Sequence, residues 1–213
     1  MFLAVSAFRQ RSVADVADTI RAYCSKHGTS AEPCSPGELA GSDDACWFVP
    51  RNGWTTVLWP SFFNIHDEPF CRDASHNLST LVSTVHVYDG DYWAHFLFEK
   101  GRLLDRFCSL PDYFSGEGEP IESESWAGDA ELIASRTGAD PQVLRRYLVH
   151  LDPEASESGK AWADDEFELE DVWVFVDFWR RMGIAYEDPE SAVQRLRLDP
   201  DHRRRLPVSD QGL

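Results

Sequence analysis

Apolar residues near the N-terminus fall on one helical face, directly after a short apolar segment. Residues 2–8 favour a first strand, and Ser12 with Asp15 resembles the capping box that begins a helix. The apolar positions that follow at helical spacing are Val13, Val16, Ala17, Ile20 and Cys24. Gly28 can adopt the left-handed conformation that ends a helix. This pattern predicts a strand followed by a helix.

A β-hairpin is predicted next. Ser, Gly, Pro and acidic residues predict a loop at 29–44. The apolar runs 46–49 and 54–59 then flank Asn52-Gly53, a pair that favours the tight turn between two antiparallel strands.

A second helix and a three-stranded meander follow. Helical spacing predicts the helix at 74–82, with Asp73 as its cap. Three segments separated by turn residues predict the meander: 85–88, 92–99 and 102–108. The order strand, helix, strand, strand, helix, strand matches the ferredoxin-like βαββαβ plan, here with an extra hairpin. We therefore expect an antiparallel or mixed sheet of about five to six strands.

The C-terminal third has helical patterns. Helices are predicted at three segments: 129–136, 141–150 and 170–182. The sequence thus predicts a single α+β domain over residues 1–213. Its parts are a sheet-rich part (1–115), a helical part packed on it (125–198) and a basic tail (199–213) that packs on the body or stays loose.

The charge balance disfavours nucleic acid and membrane surfaces as partners. The chain has 37 Asp and Glu against 20 Lys and Arg, a net charge of −17 that repels phosphate backbones and anionic lipid headgroups. A basic protein is the partner that such a charge favours, although an acidic composition is also a common setting for solubility.

The cysteines and the apolar segments indicate a soluble protein of the cytoplasm. The chain shows no apolar stretch of the ~20 residues that a membrane helix needs, and Arg9 and Arg11 interrupt the apolar N-terminus. The five cysteines are odd in number, widely spread and without a CxxC pair, which is typical of reduced thiols.

One face of the meander is the candidate site. If Gly90-Asp91 and Lys100-Gly101 form two-residue loops, period-two counting gathers polar and aromatic side chains on one face. These candidate ligand- or partner-binding residues are His86, Tyr88, Trp93, His95 and Arg106. A face covered by the C-terminal helices is the alternative. The same count places Asp105 among apolar residues, where a carboxylate needs a partner; a bulge or shifted register would remove that conflict.

Catalytic, metal and cofactor motifs are not found in the sequence. It has no GxSxG, no GxxxxGK[ST] and no GxGxxG after a strand, and His66, Cys71 and His76 match no zinc spacing. We therefore predict no catalytic residue, no metal and no cofactor.

Several motifs resemble an uncharacterised family of small acidic bacterial cytoplasmic proteins. The similarity covers about residues 45–185 and is carried by four segments: 85–93, 96–101, 105–107 and 111–114, continued by 126–128, 164–167 and 179–184. It implies no activity, and only that the meander and the C-terminal helices belong to one unit.

Three functions remain as hypotheses. The first is a non-enzymatic protein-binding module, of an immunity or regulatory type, that engages a basic partner through acidic and aromatic surface. The second is a small-molecule-binding protein or an enzyme that uses the face of His86, Trp93, His95 and Arg106. The third is a structural scaffold in an oligomer, which predicts a large apolar patch and a stable dimer.

Overall fold

An eight-stranded antiparallel sheet is the centre of the computed structural model, which describes residues 2–34, 45–60, 63, 65–113, 123–151, 159–187, 189–199 and 201–209. The strands are β1 (Leu3–Arg9), β2 (Ala31–Pro33), β3 (Ala45–Arg51), β4 (Trp54–Leu58), β5 (Leu81–Tyr88), β6 (Tyr92–Glu99), β7 (Arg102–Cys108) and β8 (Gln194–Leu198). Their order across the sheet is β2-β8-β3-β4-β1-β5-β6-β7, and each neighbouring pair is antiparallel. The class is α+β.

The described sheet is larger than the five to six strands expected from the sequence. β2 has three residues in a segment that the composition assigned to a loop, and it pairs with β8. β8 lies in the part predicted to be helical, where Gln194, Leu196 and Leu198 alternate with arginines. Both strands are short, and they pair with each other across a large separation in the sequence. Neither strand therefore gives a clear local signal.

Two helices cover one face of the sheet: α1 (Val13–Lys26) and α2 (Asp67–Asn77). The predicted capping box of α1 is confirmed, since Ser12 and Asp15 each accept the other's backbone N–H. α2 begins earlier than the predicted 74–82 and ends at Asn77, because the chain turns there to enter β5. Together the two helices bury the α1/α2 face of the sheet.

The opposite face is covered by the C-terminal helices α3 (Ala130–Thr137), α4 (Pro141–Leu144) and α5 (Val174–Arg181). Phe175, Phe178 and Trp179 of α5 are fully buried against this α5 face of the sheet. With helices on both sides, β5 and β6 are buried over nearly their whole length, which explains their continuous apolar runs. Among the described helices, none is long and apolar enough to cross a membrane.

The last described residues return to the α1/α2 face. A short helix, α6 (His202–Arg205), precedes Leu206, which is buried in the core beside α1. The Pro207 carbonyl lies 2.8 Å from Nδ1 of His66, and the Ser209 N–H donates to the carbonyl of Ile65 at 2.8 Å. The described part of the predicted tail therefore packs on the body, whereas 210–213 lie outside the described residues.

Candidate functional site

The five residues predicted to share one sheet face lie on two faces. His86, Tyr88 and Arg106 are on the α1/α2 face. Trp93 and His95 are on the α5 face, where both contact Phe178. The predicted common face is therefore wrong, and these side chains form no single constellation.

The length of the β5–β6 loop causes this separation. The loop has three residues, 89–91, so Tyr88 pairs with Tyr92 and Val85 pairs with His95. Directly opposed side chains of an antiparallel pair lie on the same face. A shift of one residue relative to a two-residue loop therefore moves every side chain of β6 to the other face relative to β5.

His86 belongs to a buried chain of hydrogen bonds. Its Nε2 lies 2.6 Å from the carboxylate of Asp67, which also accepts from the Thr84 hydroxyl at 2.5 Å. Thr84 Oγ1 lies 2.8 Å from Ser6 Oγ, which accepts from the Trp59 indole at 2.7 Å. Asp67 is the first residue of α2, where the helix dipole favours negative charge. The chain of bonds ties α2 to the sheet and leaves little of the imidazole for a ligand.

His95 and Trp93 are enclosed beneath α5. Nε2 of His95 lies 2.9 Å from Ser83 Oγ, and that hydroxyl accepts the indole N–H of Trp179 at 3.0 Å. Both His95 and Trp93 are essentially without solvent exposure. Burial lowers the pKa of His95 to about 3, so its ring is neutral. For these two residues the structure shows the alternative, a face covered by the C-terminal helices.

Arg106 is held in place by a neighbouring turn. A two-residue loop at Lys100-Gly101 would pair Arg106 with His95. Arg106 instead lies opposite Phe96, because a bulge in β7 shifts the register by one residue. Its guanidinium donates to the Ser125 carbonyl at 2.8 Å and to the Ser125 hydroxyl at 2.7 Å, and it lies 4.3 Å from the centre of the Trp126 ring. These contacts give Arg106 a structural role at the edge of the sheet.

The bulge does not remove Asp105 from an apolar environment, because it moves this side chain from the α1/α2 face to the apolar α5 face. Leu104 is the additional residue of β7, and Asp105 pairs with Leu97. One oxygen of the Asp105 carboxylate accepts the N–H of Asp129 at 2.8 Å, and the other has no hydrogen-bond partner among the described residues. Burial raises the pKa of Asp105 to about 6.

Replacing Asp105 with asparagine is expected to remove a pH dependence of stability. The folded protein keeps this proton up to about pH 6, whereas the unfolded chain releases it near pH 3.8. Between those values the contribution of Asp105 to the stability of the wild type falls as the pH rises, by about 1.4 kcal/mol per pH unit. The asparagine variant keeps an oxygen for the Asp129 N–H and has no proton to release. Urea unfolding at a series of pH values measures the effect, and parallel curves for the two proteins would contradict it.

A cluster of aromatic and acidic side chains lies at the β5–β6 loop. We call it the acidic tyrosine tip; its members are Phe2, Tyr88, Asp89, Asp91, Tyr92, Asp112 and Tyr113. Tyr88 and Tyr92 stack with centroids 5.5 Å apart, Tyr113 lies 5.1 Å from Tyr92, and Phe2 meets Tyr88 edge-on at 4.9 Å. Phe2 is 42% exposed and Tyr113 is 38% exposed. Four rings from three separate segments thus pack together, with Phe2 and Tyr113 exposed, Tyr88 half-buried and Tyr92 buried beneath them.

The carboxylates of the tip flank these rings in the sequence: Asp89 and Asp91 lie between Tyr88 and Tyr92, and Asp112 precedes Tyr113. Asp89, Asp91 and Asp112 are exposed, and the Tyr113 hydroxyl donates to the Asp91 carboxylate at 2.5 Å. This hydrogen bond, together with the charges of Asp91 and Asp89, raises the pKa of Tyr113 to about 12. The phenol therefore stays protonated and helps to fix the loop. Sequence reasoning selected Tyr88 but missed the other members, because Phe2 and Tyr113 reach the loop only through the fold.

A second acidic surface lies in the segment before α5. A depression of about 540 Å³ is lined by Lys160, Glu166, Phe167, Glu168, Glu170 and Asp171. The segment is anchored by Asp177 of α5, whose carboxylate accepts the backbone N–H groups of Glu166 and Phe167 at 2.8 and 2.9 Å. This second surface also carries aromatic side chains, since Phe167 stacks on Trp173 with ring centroids 6.4 Å apart.

Metal and thiol chemistry find little support in the described residues. No group of three or more His, Cys, Asp or Glu side chains in the described part of the chain could hold a metal ion. The five cysteines form no disulfide, and burial raises the pKa of Cys24 and of Cys108 to about 12. Thiols of such high pKa stay protonated at neutral pH and are poor nucleophiles.

Comparison with known proteins gives no further assignment. No protein-family model matches the chain, and neither the curated proteins nor the solved structures give a match. Function is therefore inferred from the geometry of the described residues.

Proposed function

We propose that the protein is a non-enzymatic protein-binding module, of an immunity or regulatory type, that engages a basic partner through the acidic tyrosine tip. The observation that carries this proposal is the contact of four aromatic rings with one another beside three exposed carboxylates. Tyrosine is strongly represented among the residues that dominate protein–protein binding energy, since it offers large area with little conformational freedom to lose.

The charge of the tip suits a basic partner. Asp89, Asp91 and Asp112 add a local field to a chain whose net charge is −17. Complementary charge accelerates association and disfavours acidic competitors, while the aromatic rings that the partner would cover supply affinity. The stacked rings and the bond from Tyr113 to Asp91 hold the surface in one arrangement before a partner arrives, which lowers the entropy lost on binding.

Affinity capture with matched variants tests the proposal. Immobilised protein is exposed to cell extract at low salt, and captured proteins are identified by mass spectrometry and then titrated individually. We expect a basic protein whose binding is weakened about tenfold by Tyr113→Ala, the effect of losing an interface aromatic residue. The double variant Asp89→Asn/Asp91→Asn should slow association and reduce the salt dependence, because it removes two negative charges. The loop should keep its conformation, since asparagine tolerates the left-handed backbone of Asp89.

Val193→Ser is the control for the tip variants. Val193 is an exposed apolar residue, 66% accessible, that lies away from the tip beside β8. Its replacement should leave capture unchanged. Equal binding of the partner by wild type and Tyr113→Ala, or no capture of a basic protein at low salt, would overturn the proposal.

The alternative functions differ in their support. A small-molecule site or enzyme built on His86, Trp93, His95 and Arg106 loses its basis, because these residues lie on two faces. A scaffold role in an oligomer stays a prediction, which sedimentation of the purified protein tests directly.

We also propose that β1, α1, β3, β4, α2 and β5 form a ferredoxin-like core within one α+β domain. The order β3-β4-β1-β5 across the sheet and the position of both helices on one face support this. A cytoplasmic location is part of the same proposal, supported by five cysteines without a disulfide.

A further inference from the structure

A groove of about 790 Å³ lies far along the sheet from the tip, where the end of α1, the outer side of α2 and the β6–β7 turn meet. Two ion pairs line it: Lys26 with Asp73 at 2.9 Å and Arg72 with Glu68 at 3.0 Å. Lys100 adds a third cation that has no ion-pair partner in the described part of the chain. The groove thus has an excess of positive charge on an acidic protein.

The backbone at Lys100 is unusual for its residue type. Lys100 has φ +52° and Gly101 has φ +80°, the pattern of a type I′ turn. The other two hairpins have Asn52 and Asp89 at the equivalent left-handed position. These two residue types tolerate that conformation, whereas lysine does so at a cost. A lysine that is unfavourable for its own turn indicates a use for its ammonium group.

The turn is fixed against α2. The Gly101 N–H donates to the Ser75 hydroxyl at 2.9 Å. A Cβ at Gly101 would come within 3.1 Å of the His76 Cβ, so the two backbones approach closely. Because of this contact the turn places Lys100 at the groove in a defined position.

A buried tyrosine lines the same groove. Tyr23 is 4% exposed, and its hydroxyl has no hydrogen-bond partner among the described residues. A buried polar group without a partner is destabilising, and a ligand oxygen would satisfy it. This is a second observation, independent of the charges, that points to a ligand.

We propose that the groove binds a small molecule that carries a phosphate group, with Lys100 and Arg72 as cationic contacts and the Tyr23 hydroxyl as a donor. A phosphate offers several charged oxygens, which match donors that approach from separate elements. The negative charge of the rest of the protein is screened over about 8–10 Å at physiological ionic strength, so the local cations decide what binds.

Titration with inorganic phosphate, followed by amide NMR, tests this site. We expect saturable shifts at Lys26, Gly101 and neighbouring amides, and weaker binding of acetate at the same ionic strength. Lys100→Asn should weaken phosphate about tenfold, the effect of one lost charge-assisted hydrogen bond. The melting temperature of the Lys100→Asn variant should equal or exceed that of the wild type, because asparagine suits the turn. Tyr23→Phe should also weaken phosphate while the melting temperature does not fall.

Arg102→Gln is the matched control. It removes one positive charge from the same hairpin, at an exposed position outside the groove, and should change phosphate affinity less than about twofold. Absence of saturable shifts, equal binding of acetate, or an equal loss of affinity in Arg102→Gln would overturn the proposal. Tip variants should bind phosphate as the wild type does, which separates this inference from the proposed function.

Discussion

Acidification from about pH 6.5 toward pH 3 is expected to lower the free energy of unfolding through His95 by about 4–5 kcal/mol in total, or about 1.4 kcal/mol per pH unit. Burial lowers the pKa of the folded His95 to about 3, while the unfolded chain takes up a proton near 6.5. The unfolded state therefore binds more protons over this range. The stabilising contribution is complete above about pH 6.5 and is lost as the pH falls toward 3.

Urea unfolding of wild type and His95→Gln at a series of pH values measures this effect. Glutamine is neutral throughout, so the difference between the two proteins isolates the histidine, and the opposing contribution of Asp105 cancels. His150→Gln, which replaces an imidazole at the protein surface, is the control and should not reproduce the slope. A difference between wild type and His95→Gln that does not change with pH would show that the imidazole is not enclosed as described.

Asp67→Ala is expected to lower the free energy of unfolding by about 2–5 kcal/mol, because it removes the acceptor of two buried hydrogen bonds and each orphaned group costs about 1–3 kcal/mol. The Asp67 carboxylate has no solvent exposure and contacts both His86 and Thr84. Its loss leaves an imidazole and a hydroxyl inside the protein without their acceptor. Asp67→Asn keeps an oxygen for Thr84 and should cost less.

Asp73→Ala is the comparison for this second prediction. Asp73 lies on the same helix, and its partners Lys26 and Asn77 are at the surface, so the loss should stay below about 1 kcal/mol. Equal destabilisation by the two alanine variants, measured by urea unfolding, would mean that the buried hydrogen-bond chain does not hold α2 on the sheet.

Local signals predicted the elements whose pattern is complete within a short segment. The capping box at Ser12 and Asp15 located α1, and Asn52-Gly53 located the β3–β4 turn, where both residues have positive φ. The meander was also visible, since three apolar runs alternate with turn residues. In each case the information that decides the structure lies within a few neighbouring positions.

The predicted candidate face is wrong because the β5–β6 loop is one residue longer than the two-residue loop that was assumed. A two-residue loop at 90–91 makes His86 and His95 direct neighbours, whereas the three-residue loop 89–91 places them on opposite faces. Asp89 and Gly90 are the positions with positive φ, and Asp91 is the additional residue. The turn residues in the sequence show where the chain reverses, but they do not fix the length of the loop.

The acidic tyrosine tip and the groove could not be predicted without the fold. Phe2 and Tyr113 reach the β5–β6 loop from positions far apart in the sequence, and Tyr23 and Lys100 line one groove only because α1 and the β6–β7 turn border α2. Contacts between segments so far apart depend on the packing of whole elements. No local pattern carries them.

The position of β8 has a consequence for synthesis on the ribosome. β2 pairs with β8, and β8 also covers the outer edge of β3. Until the ribosome releases the segment around Leu196, the nascent chain exposes the hydrogen-bonding edge of β3, and exposed edges attract strands of other chains. Assembly of this side of the sheet must therefore wait until β8 has left the ribosome, which makes chaperone protection most valuable in that interval.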